Sequence, residues 1–382
     1  MGKIYTAMGL MSGTSLDGVD VSIIESDGNK EFSSILDRYF EYDQEIIQKI
    51  LILREKITVP ENLNKYLDEI KDLERKITLF HANVIKKTLE MSKSSVDLIG
   101  LHGQTIFHDS EIKITKQLGD GKLLSQLTKK KVIYNFRQND LKNGGQGAPL
   151  TPIFHNVLAN KINNKFNLGF PLNFLNIGGI SNITSAINWK DWEEKINDIN
   201  AYDIGPGNCM IDEWIRKNSK KKYDKDGSIA KSGKIDKLIL NQALENFKEN
   251  SHYGKSLDIK DFDIFFAKGL SLENGASTIT NFTAKLIANG MKHTHKMRQS
   301  IIYKWLVCGG GRKNNFLLES IKNNFDNLYL EPIDKYEIDG DFVESQAFAF
   351  LAIRSSEDMP ISFPTTTRCK EPSTGGVIVK NF

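Results

Sequence analysis

The chain has 382 residues, with 51 basic and 48 acidic side chains, a formal net charge of +3, 40% hydrophobic and 26% charged residues. That length exceeds what one core usually organises, so two domains are expected. The even charge balance argues against a nucleic-acid partner, which calls for a clustered basic excess. The runs Lys129-Lys130-Lys131 and Lys220-Lys221-Lys222 are short and read as solvated faces. Three scattered cysteines, Cys209, Cys308 and Cys369, form no CxxC pair, which argues against structural zinc and suits a reducing compartment. No apolar run reaches membrane-spanning length and no secretory leader is evident, so the expectation is a cytoplasmic protein with no membrane partner. Met1-Gly2 with Thr6 matches a loose myristoylation pattern, but residues 4–10 are better used as a core strand.

Residues 3–10 read as a strand, 11–18 as a polar turn and 19–24 as a second strand. Ser12, Gly13, Thr14, Ser15, Leu16, Asp17 and Gly18, followed by Val19 and Asp20, combine glycines with hydroxyl donors, as a phosphate loop requires. Asp17 or Asp20 could serve a magnesium ion, which takes few carboxylates. The same composition also describes a plain hairpin tip. Residues 42–91 read as mainly helical. A strand at 96–101 precedes His102-Gly103-Gln104-Thr105, and such strand ends are where α/β proteins bind ligands. His102 and Gln104 could meet sugar hydroxyls there; a lone histidine is otherwise a structural residue, and His108 has less support still. Arg137, Asp140 and the stretch Gly144-Gly145-Gln146-Gly147-Ala148-Pro149 are dense in polar groups. Arg137 can read a carboxylate bidentately, and the glycines around Gln146 let backbone approach a ligand. The stretch also serves as an inter-domain connection.

Residues 173–177, the turn Gly178-Gly179 and residues 180–187 echo the first hairpin. Asp203 ends a short apolar stretch before Gly205-Pro206-Gly207-Asn208. A carboxylate fixed there suits a general base; the alternative is a cap for the helix at 209–216, whereas Asp212 reads as an ordinary surface acid. Residues 271–290 form an amphipathic helix through Ile279, Phe282, Leu286 and Ile287, with Gly290 as its stop. A strand at 303–308, the turn Gly309-Gly310-Gly311 and a helix at 314–323 follow. Residues 345–354 are apolar nearly all round, which predicts a buried helix. Asp341 and Glu344 before it read as a capping box or, for Glu344, as a ligand contact. Thr365 to Arg368 and Gly375-Gly376 carry no chemistry of their own. Strands mixed with helices give an α/β class, and three glycine loops offer grips for the phosphates and adenosine of a nucleotide.

These motifs, in this order, carry a resemblance. Gly9-Leu-Met-Ser-Gly-Thr-Ser-Leu-Asp-Gly-Val-Asp20 resembles the opening signature of the anhydro-N-acetylmuramic acid kinases. His102 to Thr105, Phe136-Arg137 with Asp140, Gly144 to Pro149, Asn176-Ile-Gly-Gly-Ile-Ser-Asn182, Asp203-Ile-Gly-Pro-Gly-Asn208, Val307 to Gly311 with Asn314, and Glu344 leading into Ala347 to Ala352 continue it. The segment Phe363-Pro364-Thr365-Thr366-Thr367-Arg368-Cys369 departs from the family's Leu-Pro-Ser-Val-Thr-Gly-Ala.

The resemblance implies a two-domain actin-like, ribonuclease H-like ATPase fold with a cleft between domains. It implies a kinase that opens the 1,6-anhydro bond of 1,6-anhydro-N-acetylmuramic acid with water while phosphorylating O6 from ATP with Mg2+. Asp203 matches the family's catalytic base. ATP falls to residues Ser12 through Asp20, to Gly178, Gly179, Gly205, Gly207 and Asn208, and to Gly309, Gly310, Gly311 and Asn314. The sugar falls to Arg137, at its lactyl carboxylate, and to His102, Gln104, Gln146 and Glu344. A homodimer is implied too. Two other readings stay open: a kinase of an ordinary hexose or hexosamine, and a non-catalytic nucleotide-dependent binding protein. The expected domains are 1–133 with 355–382, and 134–354.

Overall fold

In the computed structural model, which describes residues 2–13, 16–188, 199–247, 256–298 and 304–382, the first hairpin forms as expected. β1 (Tyr5–Ser12) pairs antiparallel with β2 (Gly18–Ser26), and β2 with β3 (Phe32–Glu41). β4 (Leu98–Asp109) then lies parallel to β1, and β6 (Lys131–Tyr134) parallel to β4. β5 (Ile114–Leu118) folds back on β4, and β12 (Val377–Val379) borders β6. β1 is buried almost throughout because both of its faces are covered. Met8 and Leu10 share a core with Val84 and Ile85 of the helix Leu67–Ser92. On the other face lies the helix Val343–Ser356, whose backbone rests on the sheet. A Cβ at Gly9 would sit 2.0 Å from the Ser345 carbonyl oxygen, and one at Gly100 would sit 2.2 Å from that of Phe348.

A second sheet repeats the plan. β7 (Leu172–Ile177), β8 (Ile180–Ser185) and β9 (Asn200–Pro206) form an antiparallel meander. β10 (Lys304–Cys308) runs parallel to β7, and β11 (Tyr329–Pro332) parallel to β10. The order β11-β10-β7-β8-β9 matches β6-β4-β1-β2-β3 strand for strand. The echo between the two glycine hairpins is therefore an echo of whole α/β units with mixed sheets.

The chain divides into one unit of Met1–Leu158 with Phe342–Phe382 and another of Ala159–Asp341. The first unit is discontinuous, and the division falls at 158/159 and 341/342, away from 133/134 and 354/355. The helix Val343–Ser356 belongs with the first sheet because its apolar surface is used against β1, β2 and β4. Residues 134–158 stay with that unit too, tied to its C-terminal segment by bonds such as Thr367 to Asp140.

Two other expectations change. The helix expected to stop at Gly290 runs Leu272–Arg298. Gly290 is a packing position, since a Cβ there would lie 2.6 Å from the Ile204 Cβ. The Asp341–Glu344 capping box does not form: the helix opens on Phe342 with no side-chain cap, and Asp341 turns to Arg312. Among the described residues, no helix is long and apolar enough to cross a membrane.

Candidate active site

In the first unit the polar residues collect where β1 and β4 leave their parallel pairing. β4 does not end at Leu101. Its ladder to β6 stops at Leu101–Tyr134, and β5 takes over from Gln104–Leu118. His102 and Gln104 thus lie within a strand, at the change of partners. A cavity of about 380 Å³ opens there, lined by His102, Lys116, Gln117, Tyr134 and Asn135 among others.

His102 is oriented by its bonds. Nδ1 lies 2.7 Å from the Gly103 carbonyl oxygen, which can only accept, so Nδ1 carries the proton. Nε2 then accepts from Arg137, Nε at 3.2 Å and Nη2 at 2.9 Å. Burial, reinforced by the Arg137 charge, pushes the His102 pKa well below the ordinary range, so the ring is neutral. Both ring nitrogens are occupied in this arrangement. The imidazole serves Arg137, whose Nη1 also donates to the Gly147 carbonyl oxygen at 2.8 Å. Gln104, only 1% exposed, donates from Nε2 to the Gly13 carbonyl oxygen at 3.0 Å, which fixes its amide. Its Oε1 is buried without a partner among the described residues and can only accept.

The Gly144–Pro149 loop is wrapped around Asp140. That carboxylate accepts from the Gly147 N–H at 2.6 Å and from the Thr367 hydroxyl at 2.6 Å, while the Gln146 N–H donates to the Thr367 carbonyl at 2.8 Å. The divergent C-terminal segment, which the sequence left without chemistry, therefore braces the loop that carries Gln146. Glu344 sits half-buried in the first turn of its helix. Thr14 and Ser15 lie outside the described residues.

In the second unit three glycine turns are knotted together. The N–H groups of Gly207, Asn208 and Cys209 donate to the carbonyls of Gly179 at 2.9 Å, Gly178 at 2.8 Å and Gly179 at 3.2 Å. Gly309, at φ +77°, closes against the end of β7, where a Cβ would lie 2.5 Å from Asn176 Oδ1. Gly178, Gly179, Gly207, Asn208, Gly309, Gly310 and Gly311 are thus brought together. Asn314 is committed to capping the helix Asn315–Lys322, accepting from the Leu317 N–H at 2.9 Å.

Asp203 does not precede the turn directly. β9 continues through Gly205 and Pro206, so Asp203 is held within the strand, opposite Asn182 and 6% exposed. It does not cap the following helix, which opens at Asn208; its Oδ2 accepts from the Leu257 N–H at 2.8 Å. The Asn182 amide oxygen is buried without a partner among the described residues.

Sequence reasoning missed Arg312. Only 4% exposed, it donates to Asp334 through Nε at 2.7 Å and Nη2 at 2.9 Å, to Asp341 at 2.6 Å, to Asp339 at 3.3 Å and to the Gly309 carbonyl at 3.2 Å. Burial alone would lower its pKa, but the bonds to Asp334 and Asp341 outweigh burial and raise it. The readable signal was an arginine right after a glycine turn, with three aspartates downstream.

A family model described as anhydro-N-acetylmuramic acid kinase matches residues 5–381. The chain belongs to the anhydro-N-acetylmuramic acid kinase family. A relative of that name from Pelagibacter ubique (strain HTCC1062) is 52% identical over 384 residues, covering 100% of both chains. One from Agrobacterium fabrum is 36% identical over 392 residues, again with 100% of both chains covered. Among solved structures, an activator of 2-hydroxyisocaproyl-CoA dehydratase from Clostridium difficile aligns over 92% of this chain and 96% of its own. Its TM-score of 0.42 and 11% identity are too distant to argue from.

Kinases of this family act on ATP, and a phosphate-bound magnesium ion needs few protein carboxylates. Burial first, then the charges of Asp17, Glu41 and Asp20, push the Tyr39 phenol well above its ordinary pKa. Among the described residues, no group of three or more His, Cys, Asp or Glu forms a closed metal site.

Proposed function

We propose that this member of the family phosphorylates O6 of 1,6-anhydro-N-acetylmuramic acid from ATP while water opens the anhydro bridge. The products are N-acetylmuramic acid 6-phosphate and ADP, in the recycling of peptidoglycan sugars. The observation that carries this reading is the match of essentially the whole chain to that family. The duplicated sheet order is what an actin-like ATPase fold requires.

Asp203 is the general base. Its Oδ2 is held by the Leu257 N–H, so the carboxylate has a fixed position from which to take one proton. Water attacks C1 as Asp203 takes that proton, and the C1–O bond breaks. The departing oxygen, O6, receives the γ-phosphoryl group, and ADP leaves. An inverting glycosidase needs an acid to protonate the leaving oxygen; phosphoryl capture replaces it here, so one carboxylate suffices. Each unit carries its own candidates for ATP: the Ser12–Asp20 loop in the first, and Gly178, Gly179, Gly207, Asn208, Gly309, Gly310 and Gly311, with Gly205 in β9, in the second. Asp17 and Asp20 would hold magnesium, which neutralises phosphate charge.

Arg137 meets the lactyl carboxylate, aimed by His102. Gln104, its Oε1 needing a donor, accepts from a sugar hydroxyl, and Gln146 and Glu344 are the remaining sugar contacts. The test is mass spectrometry of the product formed from anhydro sugar and ATP in oxygen-18 water. One phosphate and one oxygen-18 at C1 are expected. A phosphorylated sugar without the label would refute the hydrolytic step.

A further inference from the structure

Ser12 and Asp17 are both tied to one residue further along the chain. Tyr42 donates its backbone N–H to the Asp17 carbonyl oxygen at 2.8 Å, and its hydroxyl lies 2.7 Å from Ser12 Oγ. Between those two points Leu16 is held at φ +61°, a conformation that costs a branched side chain energy. Leu16 is kept there by burial in the same apolar cluster as Tyr42. Behind Tyr42 stands His81 of the helix Leu67–Ser92, with Nε2 3.2 Å from the tyrosine hydroxyl. His81 is fully buried, and its Nδ1 has no partner among the described residues.

Those bonds form a chain with a direction. An unpaired buried N–H is rarer and costlier than an unpaired lone pair. The orphaned Nδ1 is therefore the bare nitrogen, and Nε2 carries the proton. Nε2–H donates to the Tyr42 oxygen, so the Tyr42 O–H is turned to Ser12 Oγ. The Ser12 proton is then not used in this chain. Burial lowers the His81 pKa to about 3 and raises that of Tyr42, so neither group changes protonation near neutrality and the direction does not switch.

We propose that His81 and Tyr42 are positioning residues that turn the Ser12 hydroxyl proton toward the nucleotide phosphate. Ser12 itself is 2% exposed, so water cannot reorient it cheaply. This rests on the reading of the Ser12–Asp20 loop as a phosphate site.

The test has two arms on the full chain. Nitrogen-15 NMR of the wild-type imidazoles, with the His81 ring assigned by through-bond correlation to its own backbone, should show the Nε2–H tautomer; the Nδ1–H tautomer overturns the proposal even if every variant misfolds. In kinetics, Tyr42→Phe removes only the hydroxyl and should raise the KM for ATP about 3- to 10-fold, the scale of one hydrogen bond, with the sugar KM unchanged. His81→Leu should do the same, and His81→Gln, whose amide N–H can donate in the same direction, should recover most of that loss. An unchanged ATP KM in Tyr42→Phe, while Asp20→Asn raises it, overturns the proposal alone. An ATP KM unmoved by either variant overturns the placement of ATP on this loop, and the proposal with it.

Discussion

Mild acid should destabilise the first unit far more than the second. Four of its histidines are held neutral, three of them buried and His108 half-buried: desolvation lowers the pKa of His81 to about 3, His155 to about 3 and His108 to about 4, and holds His102 well below the usual range. The unfolded chain binds these protons near pH 6.5 while the folded chain does not. Stability is thus fully present above about pH 6.5 and is lost as pH falls toward the folded values. Each histidine removes about 1.4 kcal/mol per pH unit in that window, so between about pH 7.5 and about pH 5.5 the four together remove roughly 5 kcal/mol. That is comparable with the whole stability of many domains. Urea unfolding at both pH values, read unit by unit through hydrogen exchange, measures it. A loss below about 1 kcal/mol, or earlier opening of residues 159–341, would refute the assignment of these rings as neutral.

Asp203→Asn should lower kcat by at least ~10² and leave ATP affinity by calorimetry near the wild-type value; near-normal turnover removes Asp203 from its role. Arg137→Ala should weaken binding of the lactyl sugar about 10- to 100-fold, the worth of a charge-assisted pair, and leave a sugar lacking the lactyl group little affected. Equal losses for both sugars would contradict the carboxylate contact. Arg312→Met strands three aspartates and frees the Gly309 carbonyl. It should cost about 2 kcal/mol in unfolding experiments, less than a fully buried pair because the aspartates are part-exposed. It should also raise the KM for ATP while sparing the sugar KM.

The α/β class, the two glycine hairpins and the candidate loops were readable because each is written in neighbouring residues. Short, mostly apolar runs show in 3–10 and 173–177, and turn chemistry shows in the glycines between strands. Tyr42 and His81 were not readable as partners of Ser12, because nothing local marks a tyrosine that reaches back across 30 residues. The extent of β4 was hidden for the same reason: a partner strand, β5, carries it on to Asp109.

The sequence by itself therefore determined which residue types were available for phosphate, sugar and base chemistry, and in what order. The tertiary structure decided how they are used. Asp341 followed by Glu344 satisfies the local rule for a cap, yet a buried guanidinium at Arg312 offers that carboxylate a stronger partner. Thr367 looked idle until Asp140, 227 positions away, came within hydrogen-bond reach. Local propensities differ by a fraction of a kcal/mol, whereas leaving a buried charge or donor unpaired costs several times more. Long-range pairing therefore overrides the local pattern wherever the two compete.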